Sequence, residues 1–268
     1  MAGHGRCRTR EVVAALLRRV RGRFSAELEL SLQSRRSRDL FLWFLASMFF
    51  GARISGSIAT RTYTEFVRRE LVTPAKLLAT GWDGLVEVLD AGGYVRYDYK
   101  TATKLLEVVK NLLDRYGGDL NRLHAAARDA DDLIDRLKGL GKGIGDVTVQ
   151  IFLRELREVW PKADPPLSPL ALLAADHVRL FGGTRRCRPS DRLEGLRDVW
   201  KEAGSPRGHF VDFESALVRL GRDYCRRQRR DTCPMRDFCR GATDGRKRGP
   251  MPGKGRREAR TVEGDRYV

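Results

Sequence analysis

Acidic residues are in short supply: 35 Asp and Glu stand against 52 Lys and Arg, leaving a formal net charge of +17. That imbalance points to a polyanionic partner, because Lys/Arg surfaces gain affinity by displacing counterions from nucleic acid. The competing reading is the charge-rich, solvated surface of a heat-adapted protein. Cysteine is scarce too, with five residues, an odd number. The polar, Arg-rich opening lacks the apolar core of a secretory signal, so a disulfide framework is not expected and metal or cluster ligation becomes the question. Long apolar runs are missing. The longest, Leu40 to Ala52, is too short to span a bilayer and stops at Arg53, which makes it a buried core helix. No amphipathic membrane anchor, no strand alternation and no internal repeat is visible. These absences leave an all-α chain, cytoplasmic and without membrane association, long enough for one large or two modest domains.

What remains is helical periodicity. Arg10 to Phe24 sets Val12, Val13, Leu16, Leu17 and Val20 against Arg18, Arg19 and Arg21. Further helices are expected over Leu40 to Phe50, Ser57 to Glu70, Ala75 to Ala79 behind the Thr73-Pro74 cap, Asp83 to Leu89, and Tyr99 to Tyr116, stopped by Gly117-Gly118. After the stiff connector Lys162 to Leu167, Ser168-Pro169 caps a helix running from Leu170 to Phe181, and Leu193 to Ala203 and His209 to Leu220 follow. Beyond Cys239 the tail, 241–268, is basic and almost free of apolar residues, as a disordered tail would be.

One stretch organises the rest. From Asp132 to Leu156 two amphipathic segments meet at Gly139-Leu140-Gly141, and the second restarts near Ile144 with Val147, Ile151 and Phe152 on its apolar face. This is a helix–hairpin–helix. Gly139 and Gly141 permit positive φ and close approach of a ligand, while the free N–H groups of the following helix form an anion site. Lys142 adds a mobile charge, and Gly145 leaves room for close helix packing. A P-loop would need Ser or Thr after the lysine, but Gly143 follows Lys142. An ordinary helix–turn–helix with a glycine cap is the plainer alternative.

With Leu137-Lys138-Gly139-Leu140-Gly141-Lys142-Gly143, Leu220-Gly221-Arg222-Asp223-Tyr224-Cys225 and Cys233-Pro234-Met235-Arg236-Asp237-Phe238-Cys239, the chain resembles the endonuclease III family of helix–hairpin–helix DNA glycosylases over roughly Val12 to Cys239. The resemblance implies two helical lobes: a barrel over 35–161 that contains the hairpin unit, and a second domain of 1–34 with 162–240 that carries a cysteine loop at 225–239. It implies a monomer bound to double-stranded DNA in the cytoplasm and associated with the nucleoid. Gly139, Leu140, Gly141, Lys142 and Gly143 would contact phosphate, with Arg53 (after Ala52) where such enzymes insert a side chain into the duplex.

The departures shape the functional expectation. Bifunctional members carry a Schiff-base lysine where Gly143 stands, and Lys142 is displaced by about 100° of helical rotation. A monofunctional glycosylase follows, using water and a carboxylate. Two positions compete for that carboxylate: Asp164 by its place after Trp160-Pro161, and Asp176 by its spacing from Cys225 and the wording of Asp176-His177-Val178-Arg179. Each has a plainer reading, as a turn residue or as part of a polar helix face. The resemblance also implies a [4Fe–4S] cluster, which takes four thiolates. Cys225, Cys233 and Cys239 supply three and Cys187 is the candidate fourth, with a zinc site using His209 or a metal-free loop as alternatives. The alternative function is a DNA lesion binder that has lost its chemistry.

Overall fold

The computed structural model describes residues 2–20, 22–181, 191–206 and 208–239. In chain order the helices are α1 (Ala2–Arg19), α2 (Phe24–Glu27), α3 (Ser37–Phe50), α4 (Gly56–Arg68), α5 (Pro74–Ala91), α6 (Asp98–Tyr116), α7 (Leu120–Ala126), α8 (Ala130–Lys138), α9 (Asp146–Arg154), α10 (Pro169–His177), α11 (Arg192–Glu202) and α12 (Phe210–Leu220). Among the described residues there is no strand, and no helix is long and apolar enough to cross a membrane. The all-α reading therefore stands. The basic tail expected over 241–268 lies outside the described residues.

The described residues fall into two compact units, one drawn from 2–23 and 166–239 and the other from 24–165. The boundary at Phe24 corrects the expected one at Arg35. Its cause is Glu155, a fully buried carboxylate that accepts the backbone N–H groups of Phe24 (2.8 Å) and Ser25 (3.0 Å). Those two bonds tie the opening of α2 to the end of α9, inside the 24–165 unit. Beside them the Arg154 guanidinium lies 5.1 Å from the Phe24 ring centre.

The 24–165 unit is built around α3, whose residues Leu40 to Ser47 are all buried. A helix apolar on every side must be surrounded. Here α4, α7 and α9 pack against it. Trp43 donates its indole N–H to the Phe152 carbonyl (3.0 Å), and Phe44 meets the Phe152 ring edge-on at 5.1 Å. Local capping chemistry sets the helix starts: Ser55, Thr73, Asp119 and Asp129 each accept a first-turn N–H. Gly117, at φ +63°, ends α6 in the left-handed conformation. The two short helices expected after Thr73 are both present within α5, separated at Gly81, where φ +71° and ψ −179° leave the helical region.

In the other unit α1 begins earlier than its apolar stripe suggested and ends at Arg19, short of the expected Phe24. The chain turns at Gly22 (φ +104°), whose carbonyl accepts from Arg219 Nε at 2.9 Å. Ser168 caps α10 by accepting the Ala171 N–H (3.1 Å). Gly221, after α12, lies directly against the Leu170 backbone, where any side chain would collide. That contact sets the packing of α10 on α12. Trp200 of α11 stacks on Phe213 of α12 at 5.6 Å.

Candidate nucleic-acid interface

The hairpin between α8 and α9 is moulded on α6. One face of that helix meets the turn residue by residue. Arg115 Nη1 donates to the Gly139 carbonyl (3.0 Å), Asn111 Nδ2 to the Leu140 carbonyl (2.8 Å), and the Glu107 carboxylate accepts the Lys142 N–H (3.3 Å). A Cβ on Gly141 would come within 2.9 Å of Val108 Cγ2, and one on Gly143 within 2.7 Å of Lys104 Cδ. Residues 104, 107, 108, 111 and 115 follow the three-to-four residue spacing of a single helix face.

This arrangement changes the roles expected of several hairpin residues. Gly139, at φ −70°, and Gly141 are not in the left-handed region; Gly143, at φ +111°, is. Gly141 is small because α6 crosses there. Leu140 is fully buried, so its side chain anchors the turn and cannot meet a phosphate. A Cβ on Gly145 would touch nothing within 4 Å, so close helix packing does not explain that glycine. The close approach belongs instead to Gly51 at the end of α3, whose Cβ would fall 2.5 Å from Thr148 Oγ1. Gly145 is the N-cap of α9 and makes no side-chain cap. The first-turn N–H groups of α9 therefore lack the N-cap side-chain acceptor that α4, α5, α7, α8 and α10 have, which is the backbone half of an anion site. Asp146, highly exposed, opposes an anion at the helix start, but its carboxylate is held by Lys138 Nζ at 2.5 Å. Lys142 is exposed beside it.

Next to this helix start lies a cavity of about 610 Å³. Arg53, Tyr94, Tyr97, Lys100, Lys104 and Gly143 are among its lining residues. Arg53 thus shares the cavity with the hairpin residues, and two lysines unforeseen in the sequence, Lys100 and Lys104, join it. The Lys104 side chain covers Gly143.

Neither candidate aspartate lines that cavity. Asp164 is gripped by Arg157, a nearly buried guanidinium whose Nη1 lies 2.6 Å from Oδ1 and which also donates to the Pro165 carbonyl. Asp176, near the C-terminal end of α10, pairs with Arg192 at 3.4 Å. The start of α10 carries Ser168 as its cap and no carboxylate in the first turn.

Cys225, Cys233 and Cys239 line a second cavity, of about 640 Å³, in the other unit, together with His177 and Arg226, Arg229, Arg230 and Arg236. Burial, then the neighbouring Cys233 and Cys239, push the Cys225 thiol up to about 12. Among the described residues no three His, Cys, Asp or Glu side chains stand close enough to grip one metal ion. His209, the proposed zinc ligand, is committed elsewhere: its side chain accepts a backbone N–H in the capping box of α12, at the end opposite Cys225. At about 1.5 Å per residue the eleven residues of α12 alone put roughly 16 Å between them. A four-iron cluster is less demanding than a single ion, because each thiolate binds a different iron and the donors stand further apart. Three thiols around one cavity, ringed by arginines that offset thiolate charge, fit such a group; Cys187 lies outside the described residues. Protein contacts also hold the loop: Arg19 donates to the Pro234 carbonyl (2.9 Å), Arg8 to that of Phe238 (3.4 Å), and Met235 is fully buried.

The sequence signal missed was the polar row Lys104, Glu107, Asn111 and Arg115 on α6, legible at helical spacing but read only for its apolar face. No protein-family model and no curated protein matches this chain.

Proposed function

We propose that this chain is a DNA-binding protein of base-excision repair, acting on duplex DNA as a monomeric, monofunctional glycosylase. The observation that carries the reading is the hairpin fixed on α6, with the uncapped start of α9 beside a cavity lined by Arg53, Lys100 and Lys104. Backbone N–H groups at a helix start hold a phosphate, and the surrounding cations supply the salt-dependent part of affinity. The reaction is hydrolytic. The bond between C1′ and the base breaks, the departing base takes the electron pair and a proton, and water forms the new C1′–O bond while Asp164 or Asp176 stabilises the developing cation. Cys225, Cys233 and Cys239, with Cys187, would hold a [4Fe–4S] cluster that braces the C-terminal loop and takes no part in these steps.

A second reading, a lesion binder without chemistry, is favoured by the ion pairs that occupy both aspartates. A panel of duplexes carrying single damaged or mismatched bases separates the two. Base release lost in Asp164→Asn or Asp176→Asn supports the glycosylase and names its carboxylate. Binding without release on every duplex supports the second reading. Borohydride present during turnover should trap no covalent adduct. An adduct that disappears in Lys104→Ala but persists in Lys142→Ala would replace the water mechanism with an amine delivered from α6.

A further inference from the structure

The large apolar side chains that are exposed among the described residues, Leu78, Trp82, Val95, Tyr97 and Tyr99, all belong to α5, the start of α6 or the link between them, and two of them, Trp82 and Tyr99, are in ring contact. Proteins rarely leave such a cluster open without use. Its geometry is set in advance. The break at Gly81 turns the chain before Trp82, whose indole N–H donates to the Thr103 hydroxyl (3.0 Å), and that hydroxyl donates to the Tyr99 carbonyl (2.9 Å). The two rings lie 5.3 Å apart at 35°, with Tyr99 61% exposed. Arg96 sits over the Tyr97 ring at 5.4 Å. One helical step round α6, Lys100 and Lys104 share a face and line the cavity beside the hairpin together with Tyr97. Of the nearby acids, Asp98 accepts the Tyr99 N–H (2.8 Å), Asp90 is held above the usual carboxylate range by burial and then by the neighbouring Asp98, and Asp83 is exposed next to Trp82 in the chain.

We propose that this surface binds unpaired nucleotides of single-stranded DNA, with bases stacking on Trp82 and Tyr99 and the backbone passing over Arg96, Lys100 and Lys104. Aromatic faces accept any base, and flanking cations follow the phosphates. Fixing the two rings beforehand lowers the ordering cost of binding. The charge on one side of the cluster is what selects a polyanion over an apolar protein partner. The site goes beyond duplex binding and base release and requires neither.

The test uses the full chain and a fluorescein-labelled 15-mer of deoxythymidine, which cannot form a duplex, followed by anisotropy. Trp43, Trp160 and Trp200 are buried, so quenching of tryptophan emission on binding reports Trp82. Trp82→Ala and Tyr99→Ala should each weaken binding about 5- to 150-fold, the loss of one stacked base. Affinity for an unfrayed duplex hairpin should change less than about twofold, the threshold separating this effect from the tenfold scale of a lost phosphate site. Tyr99 is exposed enough that its removal leaves the fold intact. Unquenched tryptophan in the wild type, or equal affinity of Tyr99→Ala and wild type for the 15-mer, overturns the proposal. So does a Tyr99→Ala variant whose self-association falls in sedimentation while its affinity for the 15-mer stays unchanged, since that assigns the face to a second copy of the chain.

Discussion

Replacing Gly143 by alanine should destabilise the 24–165 unit, whereas the same change two residues on at Gly145 should not. Gly143 sits at φ +111°, a conformation that costs an L-residue about 1–3 kcal/mol. Its new methyl would also displace Lys104, whose Cδ stands 2.7 Å from the Cβ position; that side chain is long and flexible, so this part of the cost is small. Against it, alanine restricts the unfolded chain and returns about 0.4–1 kcal/mol. The net is a loss of about 1–2 kcal/mol. Gly145 has φ −97° and open space around its Cβ, so only two modest terms act there. The unfolded-state gain and the poorer capping by alanine nearly cancel, leaving a change within about 0.5 kcal/mol. Urea and thermal unfolding followed by circular dichroism would register the difference as about 2–8 °C in Tm, given 2–4 °C per kcal/mol for chains of this size. Equal stability of the two variants would refute the assignment of the left-handed turn to Gly143.

Acid should act in two windows. Burial, then Lys162 and Arg35, lower the pKa of His124, which stacks on Trp160 at 4.7 Å. The unfolded histidine takes its proton near about pH 6.5 and the folded one only below that, so stability should begin to fall as pH drops through about 6.5, and His124→Gln should remove this step. The Arg128 backbone N–H, then the Arg136 guanidinium, hold the Asp132 carboxyl down at about 2. Its contribution is complete above the unfolded value of about 3.9 and is lost as pH falls toward 2, a slope that Asp132→Asn should abolish. For the cysteine loop, full-length protein purified without oxygen should contain about four irons per chain, as a [4Fe–4S] cluster requires. Cys225→Ser should lose them and Cys7→Ser, whose cysteine is exposed and distant in sequence, should keep them. Zinc, or no metal, contradicts the cluster.

Much of the helix pattern was legible because caps and stops act locally: Thr73-Pro74, Ser168-Pro169 and Gly117 work through neighbours in the chain. The hairpin was legible as a glycine-rich turn for the same reason. Which glycine turns left-handed was not, since spacing alone cannot separate a glycine kept for φ, as at Gly143, from one kept for close packing, as at Gly141 against Val108. Long-range partners were hidden as well. Nothing near Asp164 in the pattern announced that Arg157 would be nearly buried against it, and nothing near His209 showed that its imidazole would close a helix cap. The boundary at Phe24 depends on Glu155, a residue far along the chain.

The most direct test of the hairpin as the phosphate site is Gly145→Asp, measured by anisotropy on duplex DNA across a range of salt. Extended backbone and open space at this position accept the side chain, and aspartate is a good N-cap, so the fold should be unharmed or firmer by a few tenths of a kcal/mol. The carboxylate would occupy the N–H groups of α9 and repel phosphate. Duplex affinity should fall at least about tenfold for every sequence, with a log–log salt slope shallower by about 0.9 for each phosphate that is no longer neutralised. A stable Gly145→Asp variant that binds duplex DNA with wild-type affinity and slope would contradict the hairpin as the site of DNA binding.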